Sequence, residues 1–237
     1  MIGEPLNRID GPAKVTGFAR YSSEWPIDTL AYGAIVQSTV ARGTIASIDV
    51  ASASAAPGVL AVLTCDNAPR LPQDGKAGVS PPAGRVLSLL QSRDVRYNGE
   101  PIALVVADSF EHAAYAASTV RATYREEHAA VDMAKALPSA QPYTQKILGM
   151  FEPSSHRGDA SRALGRADVT IDAIYSTPLE THNAMEPHAT IAHWQGEVLT
   201  LYDATQYLYG VKRFIAKTLG IPDAHVRVVS KFVGSRR

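Results

Sequence analysis

Short β-compatible runs, each cut off by glycine or proline, dominate this chain and restrict it to strands of ordinary length, about 5–6 residues. Leu30–Val40 is apolar and is punctuated by Arg42–Gly43, after which Thr44–Val50 alternates as a half-buried strand does. These two runs are expected to pair across the turn. Ala51–Ala56 is alanine-rich and reads as one or two helical turns stopped by Pro57–Gly58, and Val59–Thr64 resumes a strand. Asp94–Tyr97 and Pro101–Ala107 flank Asn98–Gly99, a strong hairpin signal. Ser109 suits the N-cap of a helix over 110–118, and Thr119–Arg125 reads as one more strand. Near the start, Gly11–Pro12 and Gly17 mark turns that leave Lys14–Thr16 as a short extended piece. Strand, short helix, strand is the grammar of an α+β unit, which is expected to occupy residues 1–128.

Residues 66–92 are rich in proline and glycine, and a loop of that length points to surface contact or, less readily, to a lid. Residues 129–166 are broken by further prolines and glycines and read as a connecting arm, with helical turns at Asp132–Leu137 and Asp159–Leu164. A second region, 167–237, opens with the alternating run Val169–Tyr175 and leads into Glu180–Trp194. No other stretch places so many proton-exchanging or coordinating side chains between two segments that read as strand. Thr190–Trp194 and Glu197–Tyr202 are strands by pattern. Gln206–Leu219 carries Leu208, Val211, Ile215 and Leu219 at helical spacing, with Thr205 or Asp203 as the cap and Gly220 and Pro222 as the stop. His225–Val233 is the last strand.

Composition excludes several classes. The formal net charge of the 237 residues is zero, with no basic run, so neither nucleic acid nor a membrane surface is an expected partner. No segment has the apolar length of a signal peptide core or a membrane span, and the expected location is cytoplasmic. Cys65 is the only cysteine, so these residues build neither a disulfide nor a cysteine-ligated cluster; its place after Val59–Thr64 suits a small buried hydrophobe. His182, His188 and His193 do not have the spacing of a zinc motif. Tyr202, Tyr207 and Tyr209 read as core or interface aromatics.

The segments Arg8–Gly17, Ala41–Gly43, Pro57–Val59, Tyr97–Val106, Met185–His188, Thr205–Gln206 and Phe232–Gly234, in that order, resemble the large, molybdopterin-binding subunit of the xanthine dehydrogenase and aldehyde oxidase family. The nearest likeness is to bacterial three-subunit aldehyde dehydrogenases. The resemblance implies an α/β hammerhead domain over 1–128, followed from 167 by the beginning of a mixed α/β molybdenum-cofactor-binding domain. It implies a hydroxylase of aldehydes or aromatic N-heterocycles that takes oxygen from water. Its cofactor would be molybdenum-molybdopterin, the cytosine dinucleotide form included. Electrons would pass to 2Fe-2S clusters and FAD on an iron-sulfur subunit and an FAD-binding subunit.

By the same resemblance Gln206 matches the glutamine that hydrogen-bonds a molybdenum oxo ligand, and Val233 and Gly234 match the start of a cofactor-facing glycine turn. Without it, Gln206 reads as a polar residue in a helix's first turn and Gly234 as the end of a strand. Met185, Glu186 and His188 are candidates for a wall of the funnel to the metal, or for a structural corner fixed by Pro187. The family continues past the glycine turn with more glycines, a Phe and a Lys, where this chain has Ser235–Arg237. Its general-base glutamate has no counterpart here. The chain is therefore expected to be an N-terminal fragment, inactive alone. The alternative is a non-catalytic hammerhead-type interaction or assembly module.

Overall fold

The computed structural model describes residues 3–72, 88–147, 151–178, 180–181 and 183–234. Most of the loop 66–92, together with His182 and Ser235–Arg237, lies outside them. Among the described residues, three three-stranded sheets carry the fold. In the first, β5 (Pro101–Ala107) lies between β1 (Tyr32–Gln37) and β3 (Val59–Thr64), antiparallel to both. In the second, β2 (Gly43–Asp49) lies between β4 (Asp94–Val95) and β6 (Arg121–Glu126). Helices α2 (Ala51–Ser54) and α3 (Phe110–Thr119) complete this half, and the Ser109 hydroxyl accepts from the His112 N–H at 3.2 Å as a cap.

Two apolar clusters bind the sheets together. Ala53, Val62, Val105, Ala116 and Val120 form one, and Ile45, Val95 and Ile102 the other, while Val36 and Ile48 touch both. The alternation of β2 and the near-continuous apolar run of β5 follow from these positions, since β5 is the central strand of its sheet. Cys65 is half-buried at the edge of the second cluster, and burial pushes its thiol pKa up.

Several expected pairings are not made. β1 and β2 do not pair with each other. Ser38 is still held beside the residues preceding β5, its N–H donating to the Glu100 carbonyl (2.8 Å) and its carbonyl accepting from Gly99 N–H (2.9 Å), and the chain then turns away, the Ser38 hydroxyl accepting from Val40 N–H (3.1 Å). Asn98–Gly99 is not a hairpin turn either, since β4 and β5 belong to different sheets. The chain there wraps the buried Glu100 carboxylate, which accepts from the Arg96 N–H (2.6 Å) and from its guanidinium (3.0 Å). Lys14 belongs to a helical turn, α1 (Gly11–Val15), and not to an extended piece. Pro12 presets the first helical turn, and the Thr16 hydroxyl donates to its carbonyl at 2.6 Å.

Past β6, α4 (Met133–Ala136) and α5 (Ala160–Leu164) are single turns capped by Asp132 and Asp159. The run Val169–Tyr175 forms no strand. No described segment offers it a ladder, and Ile171 and Ile174 are 84% and 96% exposed. The second region's sheet is β7 (Thr190–Gln195), β8 (Val198–Asp203) and β9 (Val226–Val229), with β8 central. β7 and β8 are antiparallel; β8 and β9 are parallel and are joined through α6 (Leu208–Leu219). Val211, Ile215 and Leu219 of α6 pack on Leu199, Leu201, Ala216 and Val226, and Gly220 ends the helix in the left-handed region at φ +69°. Leu208, the fourth apolar position of the stripe, sits at the exposed end.

Two outcomes follow from local geometry. Gly58 has φ +73°, and a Cβ there would meet Asp108 Oδ1 and His112 Nδ1, which bond each other at 2.6 Å. Gly58→Ala is expected to lower stability by about 1–3 kcal/mol in denaturant titration. It should also raise the Asp108 pKa, which its hydrogen bond to His112 holds below the ordinary value, as NMR titration would show. Asp10, hydrogen-bonded by Lys14 and Arg8, has its pKa lowered from 3.8 to about 2. The contribution of this ion pair is therefore fully present above the unfolded value and is lost as pH falls through about 2. In Lys14→Met the NMR midpoint of Asp10 should move upward.

Candidate functional site

Parallel strands joined by a helix bring two loops to one rim, because both leave the sheet at its carboxyl edge, where ligands of open α/β sheets bind. Here the loop after β8 holds Thr205–Tyr207 and the turn after β9 holds Ser230–Gly234. One hydroxyl joins them. Ser230 Oγ accepts from Thr205 N–H at 3.3 Å and donates to the Thr205 carbonyl at 3.1 Å. The same serine explains why the last strand stops at Val229, short of the expected Val233: a chain fastened sideways to Thr205 cannot continue the ladder.

Gln206 sits on this rim, exposed, and outside α6. Neither expected cap holds the helix. Thr205 Oγ1 accepts from Tyr207 N–H (3.1 Å), closing a turn before the helix begins, and Asp203 accepts from the Thr190 hydroxyl (2.6 Å). Tyr207 occupies the cap position without a side-chain bond. Val233 and Gly234 are half-buried on the neighbouring turn.

The segment Met185–His188 divides by direction. Met185 and His188 are exposed, whereas Glu186 is 9% exposed and faces inward. Glu186 Oε2 accepts from Gly234 N–H at 2.6 Å, and Oε1 accepts from Ser22 Oγ–H at 3.1 Å and from Ser22 N–H at 3.4 Å. A Cβ on Gly234 would run into the Glu186 side chain, so glycine is required here by this carboxylate. The N–H of Gly234 is correspondingly directed at Glu186.

The amino-terminal arm covers the same turn. The Lys14 ammonium lies 5.8 Å from the Phe232 ring centroid, and the Tyr21 ring lies 6.0 Å from it. Trp25 packs on Tyr202 of β8 at 4.6 Å. Tyr207 and Tyr209 are exposed, so of the two roles expected of them, core or interface, the core one does not hold. Two clefts of about 400 and 420 Å³ lie elsewhere, one beside Arg42, Asp94 and Arg96, the other beside Trp194, Glu197 and His225. Among the described residues no three His, Cys, Asp or Glu side chains converge as a metal site would require. Among them, too, no helix is long and apolar enough to cross a membrane.

Ser22, Tyr21, Trp25 and Ser230 carry no sequence signal for this site. Ser22 lies 164 residues from Glu186, and nothing in a serine's own neighbourhood announces such a partner.

The architecture is a pair of three-stranded sheets followed by a β8–α6–β9 unit with its rim. Residues 16–128 match the family described as aldehyde oxidase and xanthine dehydrogenase, a/b hammerhead domain, and residues 141–235 match the molybdopterin cofactor-binding domain. The chain belongs to the aldehyde oxidase and xanthine dehydrogenase family. It is 39% identical over 236 residues to the aldehyde oxidoreductase molybdenum-binding subunit PaoC of Escherichia coli K12, covering 99% of this chain and 30% of that protein. It is 30% identical over 233 residues to the xanthine dehydrogenase molybdenum-binding subunit of Escherichia coli O157:H7, covering 96% of this chain and 31% of that one. Quinoline 2-oxidoreductase from Pseudomonas putida 86 shares the fold at a TM-score of 0.80 and 24% identity, over 98% of this chain and 30% of its own. The chain thus spans about 30% of the length of these relatives.

Ser230→Ala removes both bonds that join the two loops and is expected to cost about 1–2 kcal/mol. Hydrogen exchange should quicken at Thr205 before it does in β8.

Proposed function

We propose that these residues form the hammerhead and the first part of the cofactor-binding region of a molybdenum hydroxylase large subunit. The single observation that carries the reading is the shared rim: Gln206 follows β8, Val233–Gly234 follow β9, and Ser230 fastens the two loops together. Such a rim suits the molybdopterin group. Gln206 offers a neutral amide donor that can hold an oxygen of the cofactor without competing as an anionic ligand. Gly234, whose N–H and open face are taken by Glu186, would hold the turn on which Val233 offers a small apolar wall. Met185 and His188, exposed beside Glu186, would line the approach to that rim.

The bound cofactor would supply two-electron redox chemistry. For an aldehyde the balanced step is RCHO + H2O → RCOOH + 2H⁺ + 2e⁻, and an aromatic N-heterocycle is hydroxylated at carbon with the same electron count. Gln206 would orient the group and stabilise charge that develops on its oxygen. The cytosine dinucleotide form of the cofactor, and an iron-sulfur subunit and an FAD-binding subunit as electron acceptors, rest on the likeness to bacterial three-subunit enzymes. Cys65 alone could not ligate a cluster, which favours placing the clusters elsewhere. A cytoplasmic location belongs to the same reading, as does the domain division 1–128, 129–166 and 167–237.

The test is Gln206→Ala in the complete subunit, assembled with its partners. Molybdenum content should be retained while kcat falls about 10²–10³-fold, the usual cost of losing one pre-placed donor. Unchanged kcat would remove Gln206 from the site, and a complete subunit that never carries molybdenum would favour the assembly-module alternative.

A further inference from the structure

We propose that Glu186 is a positioning residue: its carboxylate latches the Gly234 turn to the amino-terminal arm at Ser22, so that the rim is shaped by a segment from the opposite end of the chain. This extends the reading of the rim as a cofactor site, on which its importance for function rests.

Each oxygen of Glu186 serves a different segment. Oε2 takes the Gly234 N–H, and Oε1 takes the N–H and O–H of Ser22, itself only 4% exposed. Among the described residues no ion pair reaches Glu186, so its charge is met by neutral donors alone. Removing either segment leaves a buried carboxylate half-satisfied, which is costly. The arrangement therefore favours both segments being seated together.

The flanking contacts point the same way. Lys14 and Tyr21 lie against Phe232, two residues before Gly234, and Trp25 lies against Tyr202, four before Gln206. One arm thus braces the turn after β9 and the end of β8. With both oxygens engaged inward, Glu186 is not placed to exchange protons with a substrate, and it acts through the turn it holds.

The test uses the isotope-labelled chain with no cofactor added. In the parent protein the Gly234 amide proton should be shifted downfield and protected from exchange. In Glu186→Gln it should move upfield and exchange about tenfold faster, the loss expected of one charge-assisted bond, while Leu199 and Leu201 keep their protection. Tryptic cleavage after Arg20 should quicken in the same variant. A Gly234 resonance unmoved in Glu186→Gln overturns the latch, and so does loss of protection that is equal at Gly234 and Leu199. Should that variant not fold, Ser22→Ala decides: faster cleavage after Arg20 supports the latch, and an unchanged rate overturns it. Because these signals are read without cofactor, they test the latch apart from the rim's function. The Gln206→Ala assay can fail while the latch stands, and the reverse.

Discussion

A carboxylate below the surface, with no cation beside it among the described residues, is tolerated only when donors satisfy both its oxygens, and this condition at Glu186 joins the second region to the amino-terminal arm. The donors come from Ser22 and Gly234, so satisfying one side chain requires the arm and the last turn to meet. Glu100 meets the same condition differently. It is 1% exposed, and it draws a backbone N–H and a guanidinium from Arg96, four residues away. Glu100 thereby organises a local loop, while Glu186 organises a long-range junction. The same residue type has opposite topological consequences because one partner is local and charged and the others are distant and neutral.

Much of the fold can be read from the sequence wherever one local rule decides the outcome. Ser109 caps α3, Gly220 ends α6, and the alternation in Thr44–Val50 and Thr190–Trp194 gives strands. Failures fall where partner choice matters. The turn at Arg42–Gly43 and the pair Asn98–Gly99 both look like hairpins, yet β1, β2, β4 and β5 divide between two sheets, since Ser38 and Glu100 redirect the chain through bonds no local pattern encodes. Val169–Tyr175 has the alternation of a strand and, among the described residues, no ladder to join. Alternation specifies which face would be buried, not whether a neighbour exists.

The candidate site divides in the same way. Gln206, Val233 and Gly234 stand out through resemblance, and the β8–α6–β9 connection explains physically why residues 27 or more positions apart share a rim. Glu186 was visible as part of a conspicuous segment, but its inward orientation was not. Pro187, following it, fixes a corner that leaves Met185 and His188 outside. Ser22 and Ser230 could not be found, because a hydroxyl gains its role from what lies opposite it in space.

The junction also has an entropic side. Bringing Ser22 to Glu186 in a flexible chain closes a loop of 164 residues, which costs on the order of 4–5 kcal/mol in loop entropy. Neutral hydrogen bonds contribute about 0.5–1.5 kcal/mol each, and those to a charged group about 1.5–3. The latch alone would therefore only roughly balance its own closure. Two features shift that balance. The sheets built from β1 to β6 lie between the arm and Glu186, and once folded they replace most of the flexible loop with a rigid body, so the remaining closure is much shorter. The rings of Tyr21 and Trp25 add apolar contact at the point of closure. These magnitudes favour the arm settling on β8 and β9 after the first half has folded, with the rim taking its final shape late.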